Sequence, residues 1–204
     1  MKLGNVRSDG NVKKRCIITL QTSSEDIRKL FKSTKSMRLP CSIDENLSRD
    51  DLIAIMKRFR KEKFYKALLE ILVGHSNVDD YILEDIIKNE NDDNLLNDIA
   101  TSGKCSERVL KILINSEHEY VQQHARLALI HIELANAKPQ YFRELFQQYP
   151  GEKGIDIGVR VILASHPNTP KDIIEQLKSD EVDIVKDVVQ NRLMKDYKTW
   201  EPSD

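Results

Sequence analysis

A helix–turn–helix pattern that occurs four times is the feature that most constrains how this 204-residue chain can fold. Its copies begin at Leu72, Ile99, Leu134 and Leu163, at intervals of 27, 35 and 29 residues. Each copy ends one helix on an apolar-plus-small pair, crosses a turn containing Gly, Pro, Ser or Asn, and opens a second helix. Two short helices cannot bury their apolar faces alone, so neighbouring pairs must stack. The pattern predicts a degenerate helical-repeat solenoid.

The clearest copy lies within Val161–Arg192. From Leu163 it reads L-A-S-H-P-N-T-P-K-D-I-I-E-Q-L, and Asp180 then precedes V-D-I-V-K-D-V-V. These motifs resemble the bacterial leucine-rich repeat variant family, a relative in shape of HEAT and armadillo solenoids. The positions that match the family pattern are Pro167, Thr169, Pro170, Ile173 or Ile174, Leu177, Val185 and Val188.

The resemblance implies a fold and no chemistry. Its members wind alternating short helices into a curved right-handed superhelix, and no catalytic residue or cofactor carries over from them to this chain. His166 stands where the family pattern has Asn, and Lys186 where it has Arg. The three earlier copies keep the apolar and turn positions but mostly lose the prolines. The resemblance is therefore direct for one copy and extends to the others through their shared pattern.

Composition favours the same fold class. Glycine and proline are scarce, at 7 and 6 residues, and 32% of the chain is charged, which suits helices better than a sandwich or barrel. An all-α protein is expected. No apolar run approaches the roughly 20 residues that a membrane span needs, so we expect a soluble cytoplasmic protein that does not contact a membrane.

Four segments are predicted along the chain. Residues 1–22 form a flexible basic lead-in whose Cys16–Leu20 run fits either a short strand or the buried start of a helix, and residues 23–66 form a basic helical segment. Residues 67–195 form the α-helical repeat region, and residues 196–204 form a C-terminal tail. The sequence does not indicate an oligomeric state.

Local signals place the first helices. Thr22 and Glu25 match a capping box, which predicts a helix over about residues 23–33, and residues 33–46 are expected to form a loop. Ser48 and the acids behind it predict a helix that continues to Gly74 with a break near Lys63. The helix over residues 121–136 is expected to be the most buried of all, because apolar residues occupy both of its sides.

Charge divides unevenly between the two parts of the chain. Residues 1–66 carry 17 Lys and Arg against 8 Asp and Glu, and residues 67–204 carry 15 against 25. The acidic remainder would complement a basic segment of a partner. A non-enzymatic protein-interaction module or scaffold, with a protein partner, is therefore the first interpretation.

A basic run in the N-terminal part supports an alternative, a nucleic-acid-binding protein. Six cations fall within ten residues, with aromatic residues between them, and such a cluster neutralises phosphates. The same distribution is also typical of an ordinary solvated helix. The predicted nucleic-acid-binding residues are Lys57, Arg58, Arg60, Lys61, Lys63 and Lys66.

No catalytic, cofactor or metal site is predicted. The sequence contains no phosphate loop, dinucleotide fingerprint or nucleophile motif. His75 and His166 share a register in inter-helix turns, where capping explains them better than ligation. Three cysteines are widely spaced and are expected to be reduced thiols. We therefore expect a protein that is not an enzyme.

Overall fold

A computed structural model describes residues 2–5, 14–33 and 41–198, and most of them are helical. The mostly helical prediction is confirmed. None of the described helices is both long and apolar enough to cross a membrane. The helices are α1 (Ser24–Ser33), α2 (Arg49–Phe59), α3 (Tyr65–Val73), α4 (Asp80–Asn89), α5 (Asp93–Thr101), α6 (Glu107–Leu113), α7 (Glu119–Leu134), α8 (Pro139–Gln148), α9 (Ile155–Ser165), α10 (Lys171–Leu177) and α11 (Asp183–Lys198).

The chain forms two compact units. Unit 1 is Met1–Val109 and unit 2 is Leu110–Asp204, so the division falls within α6 and inside the predicted repeat region. The predicted tail at residues 196–204 begins inside α11, and residues 199–204 lie outside the described part of the chain. Each unit buries its own apolar side chains.

Unit 1 contains a small three-stranded sheet, of which the sequence indicated one strand at most. The strands β1 (Lys2–Asn5), β2 (Lys14–Ile18) and β3 (Cys41–Ile43) lie in the order β1-β2-β3. β1 is antiparallel to β2, whereas β3 is parallel to β2, and α1 makes the crossover that a parallel pair requires. The strand alternative for Cys16–Leu20 is confirmed as far as Ile18. The predictions of a flexible lead-in and of a loop at residues 33–46 are wrong where these strands form. Residues 6–13 and 34–40 lie outside the described part of the chain.

The first helix begins one residue later than its predicted capping box. Ser23 Oγ accepts the Asp26 backbone N–H at 3.1 Å, and Asp26 accepts the Ser23 N–H in return at 3.4 Å. Thr22 is instead fully buried, and its hydroxyl accepts the Thr19 backbone N–H at 2.9 Å. Two overlapping Ser/Thr-to-acid patterns compete here, and the buried turn at Thr19 decides between them.

The predicted signals around α2 and α3 are confirmed. Ser48 and Asp51 form the reciprocal capping box of α2. Phe59 and Phe64 flank the break between the two helices, with ring centroids 5.6 Å apart and both side chains buried. Gly74 caps the end of α3, as predicted. The break near Lys63 therefore turns the chain while keeping both aromatic rings in the core.

All four predicted helix–turn–helix junctions are present. They join α3 to α4, α5 to α6, α7 to α8 and α9 to α10. In the α3–α4 junction, Asp79 accepts the Ile82 backbone N–H and so caps α4. Further junctions separate these copies, such as the short turn before Asp92, which caps α5 in the same way.

Helices two apart in sequence pack against each other within each unit. In unit 1 α3 contacts α5, and in unit 2 α9 contacts both α7 and α11. Side chains also join helices two apart to each other, across 26 to 30 residues of sequence. The joined pairs are Arg49 with Asp79, Lys66 with Asp92, and Arg143 with Asp172.

The prediction that residues 121–136 form the most buried helix is wrong. In α7, five of sixteen residues are buried, whereas in α3 six of nine are. Ile132 on α7 is 40% exposed although it belongs to the apolar pattern. An apolar residue on a second side of a helix does not ensure a neighbour on that side.

Candidate functional site

A cleft in unit 1 lies between α2 and α4, and we call it the α2–α4 cleft. It encloses about 70 Å³ and combines apolar side chains with two cations. Met56, Tyr65 and Ile82 are buried, whereas Lys57 and Arg60 are exposed. The complete set of lining residues is Ile53, Met56, Lys57, Arg60, Tyr65, Tyr81, Ile82 and Asp85.

Helical spacing brings these side chains to one place. On α2, Ile53, Met56, Lys57 and Arg60 follow one another at steps of three, one and three residues, so they share one side of the helix. Leu52, Ile55 and Phe59 are buried and hold the other side of α2 in the core. The capping box at the start of α2 fixes where this helix begins, and therefore which residues face the cleft.

Arg49 fixes the rim of the cleft at the start of α4. Its guanidinium donates to the Asp79 carboxylate at 2.5 Å and lies 4.8 Å from the centroid of the Tyr81 ring. Burial opposes ionisation of Asp79, but hydrogen bonds from the Ile82 N–H and from Arg49 outweigh it and lower the pKa of Asp79. Tyr81 is 60% exposed, so the ring is held by a cation while its surface stays open to solvent.

The floor of the cleft contains a second tyrosine. Burial, together with the negative charge of Glu90, raises the pKa of Tyr65 to about 12. The Tyr65 hydroxyl therefore keeps its proton at neutral pH and remains a hydrogen-bond donor.

The six predicted nucleic-acid-binding cations divide into two groups. Arg58 donates to the Leu20 carbonyl at 2.7 Å, and Lys66 forms an ion pair with Asp92, so both hold unit 1 together. The other four are exposed and make no hydrogen bond or ion pair with another described residue. They are Lys57, Arg60, Lys61 and Lys63. The structure places the first two in the cleft and the last two in the connection between α2 and α3.

Many acids of the acidic remainder are already paired within the protein. Asp79, Asp80 and Asp92 bind basic or hydroxyl side chains within unit 1, and Asp172 and Asp180 bind arginines within unit 2. These carboxylates join helices to one another.

The two histidines of shared register form the same turn in the two units. The Asn77 N–H donates to His75 Nδ1 at 3.1 Å, and the Asn168 N–H donates to His166 Nδ1 at 3.3 Å. Both side chains are buried. The prediction that these histidines cap turns is confirmed.

A second cavity, in unit 2, has an open volume of about 440 Å³. Its buried Arg160 donates to Asp180 at 2.8 Å and to the carbonyls of Tyr149 and Gly151. At the rim, a hydrogen bond to Glu181 and the repulsion between the two carboxyl groups raise the pKa of Glu152. Within the described ranges, no three His, Cys, Asp or Glu side chains are grouped so that they could hold a metal ion. Arg160 already has its partners, so we assign it a structural role.

Comparisons with protein-family models, with curated proteins and with solved structures find no match for this chain.

Of the eight residues that line the cleft, sequence reasoning predicted only Lys57 and Arg60 as site residues. Tyr81 and Asp85 belong to a different helix from the basic run, and Arg49, which holds Tyr81 at the rim, lies at the beginning of α2. An exposed aromatic residue two positions after an N-cap acid was the available signal at Tyr81. The pattern cannot say which helix packs beside it, because that choice depends on contacts between residues about 30 apart.

Proposed function

We propose that this protein is a non-enzymatic, cytoplasmic protein-interaction module, and that its α2–α4 cleft binds an acidic segment of a partner protein beside an apolar side chain. The observation that carries this proposal is that one cleft combines Lys57 and Arg60, which form no ion pair or hydrogen bond with a described residue, with an apolar floor and the exposed ring of Tyr81. A carboxylate would meet the cations, and an adjacent apolar side chain would contact Met56 and Tyr81.

We further propose that the helix pairs are degenerate copies of one repeat, related in form to the leucine-rich repeat variant or HEAT-like solenoids. The contacts between helices two apart and the side-chain links across 26 to 30 residues support this proposal. In repeat arrays each unit contacts its neighbours, and functional surfaces form along the rows of helices. The α2–α4 cleft lies between two helices of one such row.

An acidic partner segment suits the cleft better than the basic one that the charge balance suggests. Asp85 is the one acid that lines the cleft, and its side chain and backbone carbonyl accept from the Asn89 amide at 3.1 and 2.7 Å. Lys57 and Arg60 form no ion pair or hydrogen bond within the described residues, although the charge of Arg60 also acts on Glu90. Their charges are therefore available to a ligand without breaking an internal ion pair.

A protein segment also suits the cleft better than nucleic acid. Two of the six cations in the basic run are engaged inside unit 1, which leaves four for phosphates. The cleft instead combines an apolar floor with two cations. This combination suits two neighbouring side chains of a partner, one acidic and one apolar. Nucleic acid remains the alternative outcome of the experiment.

Fluorescence anisotropy with two labelled probes tests the choice. One probe is a peptide that alternates Asp or Glu with Leu and Phe, and the other is a mixed-sequence oligonucleotide of the same net charge. We expect the peptide to bind more tightly, and Lys57→Glu with Arg60→Glu to weaken it by about tenfold or more, because attraction becomes repulsion.

The matched control applies the same charge change elsewhere. Lys138→Glu with Lys171→Glu alters net charge equally, at exposed residues that do not line the cleft. This control should bind the peptide as the wild type does. Equal losses in both double variants would mean that overall charge, not the cleft, drives binding. Tighter binding of the oligonucleotide would favour the nucleic-acid alternative.

A further inference from the structure

Two of the three cysteines, far apart in sequence, are neighbours in the sheet of unit 1. Cys16 on β2 lies directly opposite Cys41 on β3 in the parallel register, and each thiol is close enough to affect the pKa of the other. Side chains of residues paired in this way point to the same face of a sheet. The sequence spacing alone gave no reason to pair them, since the crossover through α1 brings them together.

The spacing of the backbone permits a covalent bond between these thiols. Adjacent strands lie about 4.7 to 4.9 Å apart, within the roughly 4.4 to 6.8 Å range of Cα separations found in disulfides. The Cβ atoms of a disulfide lie about 3.8 Å apart on average, closer than the strand spacing. A bond here would draw β3 slightly towards β2, and a disulfide formed under such strain is readily reduced.

The surroundings of the pair differ between its two members. Cys16, on the central strand β2, is 3% exposed, whereas Cys41, on the edge strand β3, is half-buried. An oxidant therefore reaches Cys41 first, and Cys16 lies close enough to react with the oxidised Cys41. Cys105 has no such neighbour: its Sγ contacts the Ile99 carbonyl at 3.2 Å.

We propose that Cys16 and Cys41 form a reversible disulfide site that a peroxide oxidises. The Cys41 thiolate attacks one peroxide oxygen, which yields a sulfenic acid and releases the other oxygen as water after proton uptake. The Cys16 sulfur then displaces the sulfenic hydroxyl as a second water. One peroxide is reduced to two waters, and the two thiols lose two electrons and two protons.

The protonation of the thiols sets the speed of this reaction. Burial, followed by the proximity of Cys16, raises the pKa of Cys41 to about 12, and burial also raises the pKa of Cys16. Below that pKa the thiolate fraction grows about tenfold per pH unit. The pair should therefore resist brief oxidation near neutral pH and react much faster as the pH rises.

The experiment treats the full chain with hydrogen peroxide at about pH 7 and about pH 9, blocks remaining thiols with iodoacetamide, and maps the peptides without reduction. We expect a linked peptide pair containing Cys16 and Cys41, faster formation at the higher pH, and loss of the link on adding dithiothreitol. Mapping the wild-type chain makes the result independent of whether a variant folds.

Two single variants test which cysteines form the disulfide. Cys41→Ser should abolish the linked pair and leave Cys16 alkylated, whereas Cys105→Ser should link as the wild type does. The oxidised chain should also melt at a higher temperature, because the bond closes the loop that contains α1. Preferential oxidation of Cys105, links between chains, or over-oxidised Cys41 without a link would overturn the proposal. The outcome does not depend on ligand binding by the α2–α4 cleft.

Discussion

At the scale of single residues, the buried Arg160 of unit 2 depends on an oppositely charged partner. The Arg160 and Asp180 side chains are 5% and 9% exposed and lie 2.8 Å apart, and Asp180 also accepts the Val182 N–H at 2.9 Å. Removing one charge would leave the other buried without a partner, at a cost of about 3–5 kcal/mol. We expect Arg160→Met to lower the free energy of unfolding by that amount in urea denaturation followed by circular dichroism.

Two further variants separate the charge from the packing. Arg143→Met breaks an exposed ion pair with Asp172 and should change stability far less. Adding Asp180→Asn to Arg160→Met keeps an acceptor for Val182 and removes the unpaired charge, so part of the loss should be recovered. Equal effects of Arg160→Met and Arg143→Met would contradict the structural role of the buried pair.

At the scale of elements, the turn between α9 and α10 responds to acid. His166 accepts the Asn168 N–H on Nδ1, and its ring faces His131, Phe142 and Arg192. Burial, followed by the charges of His131 and Arg192, lowers the pKa of His166 from its ordinary value near 6.5. The turn is therefore stable while His166 is neutral, and this contribution is lost as the pH falls from about 6.5 through the folded-state pKa.

His166→Asn tests this pH dependence. An Asn side chain also accepts a backbone N–H two residues on, but it does not titrate. Thermal unfolding measured between about pH 7 and pH 5 should show a smaller loss of stability in the variant than in the wild type. An identical slope in both proteins would mean that other groups cause the acid response.

The elements also show what the sequence can predict. Ser48, Gly74 and the four junction turns act through neighbours a few residues away, and all were predicted correctly. The strands β1 and β3 were missed, because four or three residues are too few to display alternation and depend on partners elsewhere in the chain. Local signals therefore specify the helices, and long-range pairing specifies the sheet.

At the scale of the whole molecule, the uneven charge divides between contacts inside the fold and exposed cations at the candidate site. The basic run does contribute to the candidate site, through Lys57 and Arg60, but Lys66 and Arg58 bind within unit 1. Several acids of the acidic remainder, among them Asp80, Asp172 and Asp180, join helices to one another. The net charge of a segment gives the balance of its charged side chains, whereas the fold decides which of these side chains remain unpaired.

The central claim is that the α2–α4 cleft binds an acidic protein segment. Its most direct test replaces the exposed Tyr81 with a photo-reactive benzoylphenylalanine and sequences the cross-linked material by mass spectrometry. We predict that the cross-linked partner peptides contain Asp or Glu beside an apolar residue. Adding Lys57→Glu with Arg60→Glu should abolish their capture. Cross-links to nucleic acid, to segments without acids, or capture that persists in that variant would contradict the claim.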